Sequence, residues 1–173
     1  MVSAARTAPS LSKRYKGLGE NKNPGDIQIN TGLARFILID GITAVKAKAI
    51  HGVKYFSDSP LYSGMESLAQ LGAFHIRFLT GFKRHAFLLK INRFLVSGKT
   101  PLDGNHLLYG TLSGRSTSAF SYILETKKEN ITQIEGEFLF ALKEYDHKFK
   151  RELLREHYRQ IFSSLLNAQG IHA

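Results

Sequence analysis

The chain contains no cysteine. Disulfides, thiolate metal sites and a cysteine nucleophile are therefore excluded, and the composition fits a reducing compartment, with the cytoplasm as the expectation. No apolar run reaches the ~18 to 20 residues of a membrane-spanning helix. Arg77, Lys83 and Arg84 interrupt the most apolar region. The opening MVSAARTAPSLSKRYKG lacks the apolar core of a secretory signal. There is no ATP-binding glycine loop and no dinucleotide fingerprint, and Gly110-x-x-x-Gly114 falls in a strand pattern. The histidines are scattered without paired ligand spacing, so neither metal nor cofactor is expected. Acidic residues are scarce in one long stretch. None occurs between Glu66 and Asp103, where Arg77, Lys83, Arg84, Lys90, Arg93 and Lys99 lie.

At 173 residues the chain is long enough for one domain with a substantial core. Its net charge of +10 points to an acidic partner. Residues 1–25 are basic and rich in Ser, Gly and Lys, and are expected to be disordered. Phe74, Phe82, Phe87 and Phe94 lie near basic residues, as in a base-stacking surface. At such spacings aromatics belong to a core, and no recognised nucleic-acid motif is present, so no nucleic-acid partner is expected.

The hydrophobic pattern gives an element order. Ala34 to Ile39 reads as a buried strand, and Asp40-Gly41 as a turn. Ala44 to Ile50 alternates apolar residues with lysine and reads as the second strand of a hairpin. The segment from His51 to Gly64 reads as a loop. A long helix follows from Ser63 to Thr80, with Thr80-Gly81 as its stop signal. His85–Val96, His106–Arg115, Ala119–Thr126 and Ile131–Leu142 read as strands. His147 to Asn167 reads as an amphipathic helix with an apolar stripe that includes Phe149, Tyr158, Phe162 and Leu165. The division is residues 1–25, a domain over 26–146, and a terminal helix and tail over 147–173. One long helix with a sheet curled around it is a layered α+β arrangement.

The long helix is apolar on every side, with Met65, Leu68, Leu71, Phe74, Ile76 and Phe78, yet it holds Glu66 and Gln70. Such a helix is expected to be wrapped by other structure. A buried carboxylate is costly unless it is partnered or used, and burial suits it to general acid work. A purely structural account also exists, in which Ser63 caps the helix and Glu66 completes a capping box. Gln70 lies one turn beyond Glu66 on the same face, placed to orient a substrate or the carboxylate. His75 points to the opposite face. Arg77 shares the Glu66 stripe but lies roughly 16 Å along the axis, too far to pair with it. His85 and His106 stand at strand beginnings and reach a site only through the fold.

The order of elements and the residues FSDSPLYSGMESLAQ resemble the hot-dog fold, specifically the 3-hydroxyacyl-acyl-carrier-protein dehydratases, including those of aryl-polyene-type pathways. Glu66-Ser67-Leu68-Ala69-Gln70 is similar to the family's helix motif. Pro60 matches a loop proline, Ser63-Gly64 stands where Pro-Gly is expected, and ARFILIDG resembles the first strand. The likeness spans Gly32 to Leu142.

The resemblance implies an antiparallel sheet around the buried helix and a dimer, either with itself or with another hot-dog dehydratase. It implies action on, or binding of, 3-hydroxyacyl chains held by acyl carrier protein, with no cofactor. Glu66 would protonate the departing hydroxyl, and a backbone N–H at Gly64 or Met65 would polarise the thioester carbonyl. Phe56 aligns with the phenylalanine of the family's histidine-phenylalanine pair, which puts Tyr55 in the histidine position. A free tyrosine has a pKa of about 10 and is a poor base at neutral pH. A second register puts His51 there instead. Acyl carrier proteins are acidic, so the resemblance makes Arg77, Lys83, Arg84 and Arg93 docking candidates. A hot-dog thioesterase that uses the helix carboxylate is the alternative.

Overall fold

The computed structural model describes residues 36–98, 100–146 and 150–168. The expectations for residues 1–25 and 147–149 lie outside them. Six strands form one sheet: β1 (Gly41–Val45), β2 (Ala49–Ser59), β3 (His85–Val96), β4 (Leu102–Arg115), β5 (Ala119–Lys128) and β6 (Ile131–Lys143). Their order is β1-β2-β4-β5-β6-β3, with every neighbouring pair antiparallel. Helix α1 (Leu61–Leu79) links β2, near one edge, to β3 at the other, and so crosses the sheet. Helix α2 (Arg151–Asn167) follows the last strand.

The core is the layer between α1 and the sheet. Leu68, Leu71 and Ile76 of α1 are fully buried with Ile42, Ile50, Phe56, Leu108, Tyr122, Leu124, Phe138 and Phe140 of the strands. Two glycines let the layers approach. A Cβ on Gly72 would lie 2.8 Å from Cζ of Phe140, and one on Gly64 would lie 2.6 Å from Cδ1 of Ile134 and 2.8 Å from Cδ1 of Leu102. His75 is buried in the middle of α1 and fully hydrogen-bonded. The Tyr122 hydroxyl donates to its Nδ1 at 2.9 Å, and its Nε2–H donates to the Lys46 carbonyl at 2.7 Å. The outer side of α1 is covered by α2, whose Phe162 stacks against Phe78 with ring centres 5.6 Å apart and also touches Phe74 and Phe82.

Three boundaries differ from those read in the sequence. Residues 36–40 form no strand, and β1 begins at Gly41, where a turn is expected. The hairpin exists, but its turn falls at Lys46–Lys48, inside the alternating AVKAKAI segment, where the Lys46 N–H donates to the Ala49 carbonyl. The supposed loop from His51 is strand as far as Ser59. For residues 36–38 the cause lies in α1. The Gln70 amide donates to the Phe36 carbonyl and accepts from the Leu38 N–H, and the Ser67 hydroxyl reaches the Leu38 carbonyl at 2.6 Å. Helix side chains thus take the hydrogen bonds that a strand partner would take.

Helix α1 also begins earlier than expected. Pro60 is its N-cap residue, no side chain caps it, and Ser63 lies inside the first turn, so the capping box does not form. Its end matches the sequence signal. Thr80 is the C-cap, Gly81 adopts φ +60°, the Gly81 N–H donates to the Phe78 carbonyl and the Phe82 N–H to the Arg77 carbonyl, which is a Schellman closure. β3 falls where the sequence places it, β4 starts four residues before His106, and β5 and β6 run slightly longer than read. The terminal helix is confirmed over Arg151–Asn167.

Candidate functional site

Successive residues of a strand point to opposite faces. On β2, Ile50, Gly52 and Phe56 are buried toward α1, and a Cβ on Gly52 would meet Cδ1 of Leu71 at 3.0 Å. His51 and Tyr55 therefore point to the outer face. Tyr55 is 55 % exposed, and its backbone N–H donates to the Asp40 carboxylate. His51 sits edge-to-face against Tyr109 of β4 with ring centres 4.9 Å apart. Burial and the nearby Lys46 hold its pKa below the usual imidazole value.

Glu66 lies in the second turn of α1, on the other side of the sheet from both. Its side chain is exposed, so the burial expected from an all-round apolar helix is absent in the chain by itself. The reason is one-sided packing: Gly64, Leu68, Leu71, Gly72 and His75 are buried toward the sheet, while farther along α2 buries Phe74 and stacks Phe162 on the still exposed Phe78. Glu66 forms none of the ion pairs or side-chain hydrogen bonds found among the described residues. The structure thus keeps Glu66 apart from Tyr55 and His51 within one chain.

The other expected binding residues have structural tasks. Phe56 is buried in the core. Gln70 spends both ends of its amide on the 36–38 backbone. Met65 is half-buried and packs against the core cluster. Gly64 is the fourth helical residue, so its N–H, like that of Met65, belongs to the internal ladder of the helix. The Ser63 N–H donates to the Pro60 carbonyl at 2.9 Å, which leaves Leu61 and Tyr62 as the first-turn donors without a partner among the described residues.

The docking cations divide similarly. Lys83 is exposed. Arg84 pairs with Glu144 at 2.6 Å, and Arg93 with Glu135 at 3.2 Å, both near the surface. Arg77 is only 7 % exposed and is no surface cation. Its guanidinium lies 4.0 Å from the centre of the Tyr158 ring, and Nη2 donates to the Ala86 carbonyl. The sequence separation of basic from acidic residues located a positive stretch but could not show that α2 folds back over one member of it.

One residue that the sequence places only at a strand beginning is brought near the start of α1 by the fold. His106 of β4 is 2 % exposed, shares the inner face of its strand with Leu102, which touches Gly64, and packs edge-to-face on Phe56. Its pKa is lowered chiefly by burial, and its Nδ1 has no partner among the described residues. It lines an open cavity of about 520 Å³ together with Asp103, Lys128, Glu129 and Gln133. Its strand-start position was visible in sequence, but its proximity to the helix start depends on β4 beginning at Leu102. Among the described residues, no group of three His, Cys, Asp or Glu is arranged to hold a metal ion, and no helix is long and apolar enough to cross a membrane.

No family model and no curated protein matches the sequence. Solved structures match the shape. A conserved protein from Pseudomonas aeruginosa superimposes with a TM-score of 0.56 at 9 % identity, over 69 % of this chain and 100 % of that one. The dehydratase heterocomplex ApeI:P from Xenorhabdus doucetiae gives 0.54 at 14 % identity, over 70 % and 91 %. A thioesterase from Haemophilus influenzae gives 0.52 at 15 % identity, over 69 % and 87 %. With the sheet order and the crossing helix described above, these likenesses establish a hot-dog fold.

Proposed function

We propose that this chain binds 3-hydroxyacyl chains presented by acyl carrier protein, as a dehydratase-type hot-dog subunit that depends on a second subunit for its base. The supporting observation is the separation of Glu66 from Tyr55 and His51 by the sheet. Water elimination needs a base at the α-carbon while an acid protonates the departing hydroxyl, both within hydrogen-bond reach of one substrate. Glu66 is exposed at the start of α1 and available to an incoming chain. The N–H groups of Leu61 and Tyr62 and the positive end of the helix dipole favour the negative charge that builds on a thioester oxygen nearby. No base among the expected pair faces that point.

Among the described residues no strand pairs with the outer side of β3, and this edge supplies a place for the second subunit. β3 ends the sheet and exposes Leu88, Leu89, Leu95 and Val96. An edge of this length and apolarity favours pairing with another strand. The partner is a second copy or another hot-dog dehydratase.

The test is dehydration of a 3-hydroxyacyl thioester on acyl carrier protein, followed by mass. The chain alone is expected to be inactive, and water loss is expected when a dehydratase subunit is added. Tyr55→His should restore nothing to the chain alone, because position 55 faces away from α1. Efficient turnover by the isolated chain would sink this reading. A carboxylate-only thioesterase is the second reading, favoured by the exposed Glu66 that needs no facing histidine to activate water. Steady release of free thiol from acyl thioesters, abolished by Glu66→Gln, would select it.

A further inference from the structure

A second cavity, of about 240 Å³, lies between α1 and α2. Ile37, Ala69, Ala73 and Ile161 form its apolar walls, and Arg77 with Tyr158 closes one end. Along α1 the distance from Ala69 to Arg77 is about 12 Å. The two alanines leave room that larger residues on the same stripe would fill.

Arg77 makes this cavity chemically unusual. Its guanidinium is buried, and no carboxylate lies within ion-pair range among the described residues. Its Nε is buried without a hydrogen-bond partner. Burying a cation without a counter-ion is costly, and one hydrogen bond with stacking on an aromatic ring offsets only part of that cost. The position therefore retains a strong preference for an anion. The apolar walls favour hydrocarbon, and the cavity, which opens to solvent on one side, has room for a short aliphatic chain. Arg77 is the one permanent cation of a lining that is otherwise apolar apart from Gln70, His157 and Tyr158, and it matches a monoanion better than a phosphate, whose second charge would stay uncompensated.

We propose that this cavity binds an aliphatic chain ending in a carboxylate, with the carboxylate on Arg77 and the chain along Ala69, Ala73 and Ile161. The inference is independent of the dehydratase reading and concerns a separate part of α1. The same chemistry fits a free fatty acid or the far end of an ω-carboxyl acyl group on a carrier. His85 offers a nearby reporter. It packs on Tyr158, and burial first, then Arg77 and Lys143, push its pKa down to about 4. A bound carboxylate offsets the Arg77 charge and raises it.

The test uses the full chain, labelled for NMR and titrated with octanoate, 1-octanol and acetate. Octanoate should bind saturably, at least tenfold tighter than octanol and far tighter than acetate, and should shift the Arg77 Nε–H signal and raise the His85 pKa. Arg77→Met should reduce octanoate to the affinity of octanol. Ala73→Leu should fill the cavity and block both ligands in a folded protein, which keeps the question decidable if Arg77→Met fails to fold. Competition by ω-carboxyoctanoyl-pantetheine would identify a carrier-borne acyl group, and absence of competition a free fatty acid, each in keeping with the proposal. Absence of saturable octanoate binding, equal binding of octanol, equal competition by plain octanoyl-pantetheine, or binding undiminished in Ala73→Leu would overturn it.

Discussion

Glu66 and His85 occupy opposite regimes of burial, and their substitutions should have opposite consequences. Glu66 is exposed and has no ion pair among the described residues, so Glu66→Gln is expected to change unfolding free energy by no more than about 0.5 kcal/mol. In the assembled state it should lower acyl turnover by at least about 100-fold, as loss of a general acid does. Denaturant titration beside the activity assay separates the two effects, and a large stability change would mean that Glu66 has a structural partner. His85 is buried, with a pKa near 4 in the folded chain against about 6.5 unfolded. Between those values the unfolded chain binds a proton that the native chain does not, so stability falls as pH drops from about 6.5 toward 4 and is level above that range. The loss from this group is about 3 kcal/mol at most, and His51, His75 and His106 shift in the same direction. Urea unfolding between pH 7.5 and 4 should show this decline, and His85→Gln should make it shallower. An unchanged slope would exclude His85 as its source. At this scale the sequence correctly put His75 opposite Glu66, because helical geometry alone decides that. It did not reveal the exposure of Glu66, because an apolar face can be covered by α2 as well as by the sheet, and the gap between those two covers leaves no trace in periodicity.

Helix α1 depends on close approach to the sheet, and Gly72 is where that approach is tightest in the middle of the helix. A side chain there would press on the ring of Phe140 and on Cδ1 of Leu124, both in the fully buried core. Gly72→Leu is expected to cost about 1–3 kcal/mol despite the better helix propensity of leucine, since overpacking outweighs a gain of at most about 1 kcal/mol. Thermal unfolding checks this, and a stabilised variant would show that the layers can separate without penalty. The same close approach explains which elements were legible. β5 buries every second residue, β6 does so with Ile134, Phe138 and Phe140 around Gly136, and β3 is a long apolar run, so all three are readable as strands. β2 places Gly52 on its inner face, where a Cβ would meet the Gly41 carbonyl oxygen at 2.9 Å, and ends in a run of small polar residues. A strand whose inner position must be empty looks like a loop in sequence. Residues 36–39 show the converse, an apolar run that loses its strand character because Gln70 and Ser67 bond its backbone.

At the scale of the whole molecule, the described residues leave an apolar edge open at β3, and the chain carries a net charge of +10. Arg84 and Arg93 are partly neutralised by Glu144 and Glu135, whereas Lys83 beside the start of β3 is exposed. An acidic carrier approaching this side would be attracted by the general field, with Lys83 as the local contact. Its affinity should therefore fall as salt rises, and Lys83→Glu should weaken it further. The edge obeys a different term. Leu89 and Leu95 are exposed in the single chain, so Leu89→Lys with Leu95→Lys should leave the fold stable while putting charge into any sheet that continues across β3. Sedimentation velocity at several salt concentrations distinguishes the two contributions. If β3 joins the chain to itself or to a second hot-dog subunit, the double variant should sediment as the smaller species at all salt concentrations, while carrier binding in the wild-type chain weakens progressively with salt. An assembly that survives both substitutions would move the interface away from β3, and with it the support for a base supplied by a partner across that edge.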